Sequence, residues 1–161
     1  MPSVKVMTDT RLQPGNLLPN VQRHLIALDS AVERAAADAG LAPTLLDLIK
    51  LRVSQLNGCS FCVDLHSSDA RKGGESERRV FLIAAWPESR LYTDTERAAL
   101  ALAEAMTRLP EVRDVPDDVY QQATGAFTEE QFAVLAWAIT AINAWNRLGV
   151  LGHMELPADP E

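Results

Sequence analysis

Cysteine and histidine are scarce in this chain of 161 residues: two of the first, Cys59 and Cys62, and three of the second, His24, His66 and His153. A zinc centre built on the C-x-x-C pair would need a second such pair or distant histidine nitrogens, so the ligand count argues against metal. There is no glycine-rich phosphate loop and hence no nucleotide or flavin signature; no cofactor is expected. Positive charge is in deficit, with a net charge of −7, which argues against nucleic acid and anionic membrane surfaces as partners. No apolar run approaches the length expected to span a bilayer. The opening residues Met1-Pro-Ser-Val-Lys lack a signal-peptide core, so the expected compartment is the cytosol, where a C-x-x-C is more readily catalytic than structural. Strand signals stop at Val4–Val6, and neither an internal repeat nor a low-complexity tract occurs.

What is present reads as a single all-α domain. Apolar residues make up 47% and charged residues 23%, ordinary globular usage for a chain long enough to bury a core. Only three of the fifteen basic residues are lysine, and arginine suits ion pairs and interfaces. Residues 1–18 are expected to form an arm, either frayed or draped on a neighbouring subunit. Residues 19–150 form the helical core and 152–161 a flexible tail. Within the core, Pro19 opens a helix that Gly40 ends, and Pro43 opens another that runs to Asn57. A third spans Ser60 to Lys72, and a short one runs from Ser76 to Ala85 before Pro87. Trp86 is expected to fill the core or line the mouth of a pocket. Thr93 with Glu96, and Thr128 with Gln131, match capping boxes. The helices they open are expected to reach Leu109 and about Leu148, with a short helix at Asp117–Ala123 between them. The last carries apolar residues on more than one stripe, which implies burial on most sides and a subunit contact.

The chemistry concentrates in Asp47 to His66. A helix, a break at Asn57-Gly58 and a second helix opening with Cys59 and Cys62 place both thiols in a field that favours thiolate, the attacking form. Cys59 and Cys62 share a helical face, and His66 follows Cys62 by four residues on that face. If the chain reverses near Asn57, Asp47 and His66 both lie roughly 14 Å from the turn at 1.5 Å per residue. An antiparallel pair would then bring them side by side, giving a relay from Asp47 to His66 to Cys62. In it Cys62 attacks and Cys59 resolves the product as a disulfide, although Cys59 lies nearer the helix terminus. Lys50, one turn from Asp47, is placed to hold its charge, with a solvated lysine as the default expectation. A purely structural disulfide is disfavoured because its loop is tiny and the chain-entropy gain smallest.

The pattern Asp-x(11)-Cys-x-x-Cys-x(3)-His resembles the signature of alkylhydroperoxidase D-like proteins in the carboxymuconolactone decarboxylase superfamily. Leu51-Arg-Val-Ser-Gln-Leu-Asn-Gly-Cys59, Cys62-Val-Asp-Leu-His66, Ala85-Trp86, Thr95-Glu-Arg-Ala-Ala-Leu100 and Asn143-Ala-Trp-Asn-Arg147 extend the likeness over residues 40–150. The resemblance implies an all-helical homo-oligomer, a trimer or hexamer. It also implies that Cys62 is peroxidatic, that Cys59 resolves, and that a lipoylated or thioredoxin-like protein is the external dithiol donor. One departure is that Asp47 stands where the family has Glu, a stem one methylene shorter. The expected activity is thiol-dependent reduction of organic hydroperoxides in a small apolar pocket. Two other readings stand beside it. A lactone-acid decarboxylase would need a cationic cluster that is not evident, and a redox-responsive oligomer would switch assembly through Cys59–Cys62 without turnover.

Overall fold

Prolines, capping residues and left-handed glycines divide the chain into a series of helices. The computed structural model describes residues 11–157. In order these carry α1 (Pro14–Leu17), α2 (Pro19–Asp38), α3 (Pro43–Asn57), α4 (Ser60–Lys72) and α5 (Glu77–Leu82), which passes into a 3-10 turn over Ile83–Ala85. Then come α6 (Asp94–Thr107), α7 (Leu109–Val112), α8 (Asp117–Ala126) and α9 (Glu129–Gly152). No strand occurs among the described residues. Proline opens α2 and α3, where its missing N–H is one of the donors a helix start leaves unpaired anyway. Both capping boxes close: Thr93 and Glu96 cap each other's backbone at α6, and Thr128 and Gln131 do so at α9. Gly40 and Gly58 sit at φ +72° and +70°, left-handed values that strain any side chain and that terminate α2 and α3.

Several boundaries differ from the sequence expectation. The helix opened by Thr93 stops at Thr107, short of Leu109, and Pro110 lies in the first turn of a separate α7; proline tolerates a first turn but not a helix interior. The α8 helix runs to Ala126, and α9 continues to Gly152, about a turn beyond Leu148. The proposed Val4–Val6 segment lies outside the described residues. Within the part of the arm that is described, Arg11 donates to the Leu151 carbonyl at 3.3 Å and Gln13 to that of Gly152 at 2.7 Å. This stretch therefore lies on the chain's own last helix. The α9 helix is also long and apolar enough, by length and composition, to cross a membrane, contrary to the expectation that no run was. Its polar Thr140, Asn143 and Asn146 break the apolar run without lowering its average enough.

The core forms around α3. On one side Ile49 and Val53 pack with Ala99, Leu102 and Ala103 of α6 and Leu135, Ile139 and Ile142 of α9. On the other, Leu48 and Leu51 pack with Ala70 of α4, Val80, Ile83, Trp86 and Leu100. The alanines of α6 let its backbone approach the helices it touches. Each large side chain removed from water contributes about 1.5–3 kcal/mol, so α3 is the element the rest is built on. Trp86 is a core residue; its indole N–H donates to Glu104 at 2.9 Å, and the same carboxylate accepts from Arg52 at 2.7 Å. The α9 helix buries one broad face, while Trp137, Val150 and Leu151 are exposed in the single chain.

Candidate active site

The α3–α4 hairpin makes the most extensive helix pair among the described residues, and its turn carries the sulfurs. Gly58 bends the chain, and the Cys59 N–H is tied back to the Ser54 carbonyl at 3.1 Å. Cys59 is extended and serves as N-cap of α4; its Sγ accepts from the backbone N–H of Cys62 at 3.3 Å. The two sulfurs are joined as a disulfide, with Cα atoms 5.3 Å apart. Both cysteines are buried, Cys59 at 2% exposure and Cys62 at 6%.

Across from them runs α9, and Gly149 faces the sulfurs. A Cβ there would lie 2.8 Å from Cys59 Sγ and 3.6 Å from Cys62 Sγ. Glycine is required for this close approach rather than for its backbone angle. Around Gly149 a polar chain locks the turn to α9. Ser54 Oγ donates to the Lys50 carbonyl at 2.7 Å and accepts from Asn146 Nδ2 at 3.0 Å. Asn57 Nδ2 donates to Asn146 and Asn143, both at 2.9 Å. Asn146 is fully buried, and each amide it replaces or loses would leave a dry polar partner. Ser54 and Asn146 figure in the sequence only inside the words that carry the family resemblance, with no role of their own, and Gly149 is not singled out there. The only local signal was a glycine inside an otherwise regular helix, which often marks close backbone approach.

His66 lies on α4 one turn beyond Cys62, buried, with Nδ1 lacking any protein partner. Burial first, and then the Lys50 ammonium, push it down to about 4 from an ordinary 6.5. At neutral pH the imidazole is uncharged and able to accept a proton. Asp47 is half-buried, and burial raises its carboxyl above the usual range, with Lys50 opposing that shift and Asp69, Glu33 and Glu75 adding to it.

The direct contact expected between Asp47 and His66 is not among the hydrogen bonds of the described residues, and neither group figures in the other's electrostatic surroundings. The reason is register. Asp47 stands eleven residues before Gly58 and His66 eight after it, an offset of about 4.5 Å along the helix. Lys50, eight residues before Gly58, is level with the imidazole. Lys50 also departs from expectation. It is 4% exposed rather than solvated, and its Nζ is 3.1 Å from Glu33 and 3.4 Å from Asp29, both on α2. A buried ammonium persists only with such partners. The hairpin thus brings Cys59, Cys62 and His66 together and holds Asp47 one turn away, beside Lys50.

The sequence profile of the carboxymuconolactone decarboxylase family matches residues 19–105, a stretch that contains all five of these residues. The chain belongs to that family. Among family relatives, the uncharacterized protein YdfG of Bacillus subtilis is 44% identical over 119 residues, 74% of this chain and 80% of YdfG. The uncharacterized protein YnjA of Escherichia coli is 35% identical over 74 residues, 46% of this chain and 41% of YnjA. Among solved structures, an Agrobacterium tumefaciens protein of unknown function, for which an AhpD role in antioxidant defence has been suggested, superposes with a TM-score of 0.86. It is 36% identical, over 94% of this chain and all of that one. A debrominase in its apo form gives 0.77 at 22% identity, over 89% of this chain and 74% of its own. These place the carboxymuconolactone decarboxylase family member in the AhpD-like fold.

Proposed function

We propose that the protein is a thiol-dependent peroxidase that reduces organic hydroperoxides through a Cys59/Cys62 disulfide cycle. The observation that carries this reading is the joined Cys59–Cys62 pair at the start of α4, with a buried, neutral His66 one turn behind it. Cys62 is the attacking thiol. Cys59 is pressed against Gly149 and is the less exposed of the two, whereas Cys62 shares its helical face with His66.

In the reduced protein His66 takes the Cys62 thiol proton, because the thiolate formed beside it favours the imidazolium that burial alone disfavours. The thiolate attacks the terminal peroxide oxygen, the O–O bond breaks, and Cys62 becomes a sulfenic acid as the alkoxide leaves with a proton. The Cys59 thiol then displaces water from that sulfenic acid and forms the disulfide. An external dithiol, taken from the family resemblance to be lipoylated or thioredoxin-like, restores both thiols and is itself oxidised to a disulfide. Asp47 acts as a positioning residue through the charge balance it shares with Lys50. The family resemblance supports a trimeric or hexameric assembly. The debrominase likeness concerns the fold alone, and its reaction is not carried over.

Steady-state reduction of cumene hydroperoxide with dithiothreitol tests the proposal. Turnover is expected in the wild type and is lost in both Cys62→Ser and Cys59→Ser. Thiols left intact by excess peroxide would overturn it. A single fast oxidation without turnover under any dithiol would point instead to a redox-responsive switch.

A further inference from the structure

The last motif of the sequence, Asn143 to Arg147, takes no part in the cycle above. It borders an open cavity of about 550 Å³ between α6, α7 and α9. The walls are apolar, formed by Met106, Leu109, Pro110, Ile139 and Ala144. That volume is in the range of small-molecule sites, which characteristically combine apolar walls with few polar groups.

The polar groups here are arranged asymmetrically. Asn143 at the floor is saturated: its Nδ2 donates to Thr107 Oγ1 at 3.1 Å and to the Ile139 carbonyl at 2.9 Å, and its Oδ1 accepts from Asn57 and Arg147. Arg147 is held by one nitrogen, Nη1, at 2.8 Å from the Asn143 carbonyl and 3.1 Å from its Oδ1. No carboxylate among the described residues forms an ion pair with Arg147, whereas the nearby Arg108 is already paired with Glu104 at 3.6 Å. A guanidinium carries five N–H donors, so most of the fork is available at the mouth of an apolar groove. One unpaired cation beside an apolar wall matches a ligand with one anionic group and an apolar body. The same Asn143 oxygen that steadies Arg147 accepts from Asn57, the residue before Gly58, so the groove floor and the redox turn share a hydrogen bond.

We propose that this groove binds a small apolar carboxylic acid, with its carboxylate on Arg147 and its chain along Met106, Leu109 and Ile139. The assignment stands independently of the peroxidase reading, because it concerns a ligand that undergoes no redox step.

Calorimetric titration of the oxidised protein with octanoate, and with octanol as the uncharged control, tests it. Octanoate is expected to bind with one site per chain. Arg147→Gln, a change at an exposed position, should weaken octanoate about tenfold, the effect of losing one charged hydrogen bond, and leave octanol unaffected. Ala144→Phe, which fills the groove, should weaken both. Absence of heat with octanoate, or equal affinity in Arg147→Gln, overturns the proposal. So does sedimentation in which Leu109→Arg separates an oligomer into single chains while octanoate gives no heat, since the groove would then be a subunit contact.

Discussion

Two polar clusters lie on α3, about one turn apart, and they are built to opposite standards. At its C-terminal end Ser54 and Asn57 meet Asn146 and Asn143, and every buried side-chain atom of the set finds a partner. In its middle, Lys50 is buried against α2, yet Asp29 Oδ1 forms an ion pair without hydrogen-bond alignment, and His66 Nδ1 has no protein partner at all. Burial also displaces the titration of His66 and Asp47 there. Satisfied polar networks fix a structure, whereas unsatisfied, desolvated ones concentrate where chemistry is done. The C-terminal cluster therefore holds the turn in place, and on the proposed reading the middle cluster tunes the reactivity of what the turn carries.

Removing a member of the satisfied cluster should have the largest effect on stability. Asn146→Ala removes a fully buried amide, leaves a cavity and takes one hydrogen bond each from buried Ser54 and half-buried Asn57, and a loss of about 3 kcal/mol is expected in urea unfolding. A loss below a fifth of that would mean the network does not hold the turn. Gly149→Ala drives a methyl group into Cys59 Sγ and should cost about 2 kcal/mol in the oxidised protein; a neutral result would show that α9 can withdraw from the sulfurs.

The middle cluster should respond to pH instead. His66 titrates near 4 when folded and near 6.5 when unfolded. Between those values the unfolded chain binds the extra proton, so the stability is present above 6.5 and lost as pH falls toward 4. The wild type should lose roughly 2 kcal/mol more than His66→Gln between pH 7 and pH 4.5. Parallel pH curves for the two proteins would contradict the buried neutral imidazole. The smallest stability effect belongs to Asp47→Asn. Burial raises this carboxyl, so its charge opposes folding at neutral pH, and the variant should be as stable as the wild type within about 0.5 kcal/mol, or slightly more stable. Its Cys62 should nevertheless alkylate more slowly at neutral pH, with a higher thiol pKa. An unchanged rate would remove Asp47 from the mechanism.

Much of the frame that carries these clusters was legible along the chain. Pro43, Gly58 and the two capping boxes are local signals, and they give the bounds of α3 and α4 and the starts of α6 and α9. Both cysteines and His66 follow from spacing on one helix. What escaped depends on distant partners. Asn146 and Ser54 are 92 residues apart, and Gly149 is meaningful only once α9 lies against Cys59. Lys50 looked solvated because its ion partners sit on α2. The Asp47–His66 contact failed because counting from Asn57 put both at similar distances from the turn, whereas the bend at Gly58 offsets them by three residues. Three residues of rise, about 4.5 Å, set the carboxylate and the imidazole apart.

The most direct measurement uses Cys59→Ser, in which the second sulfur cannot complete the cycle. After one equivalent of cumene hydroperoxide, mass spectrometry should find a dimedone adduct on Cys62, formed from its sulfenic acid and absent without peroxide. A Cys62 that stays a free thiol under those conditions would contradict the account.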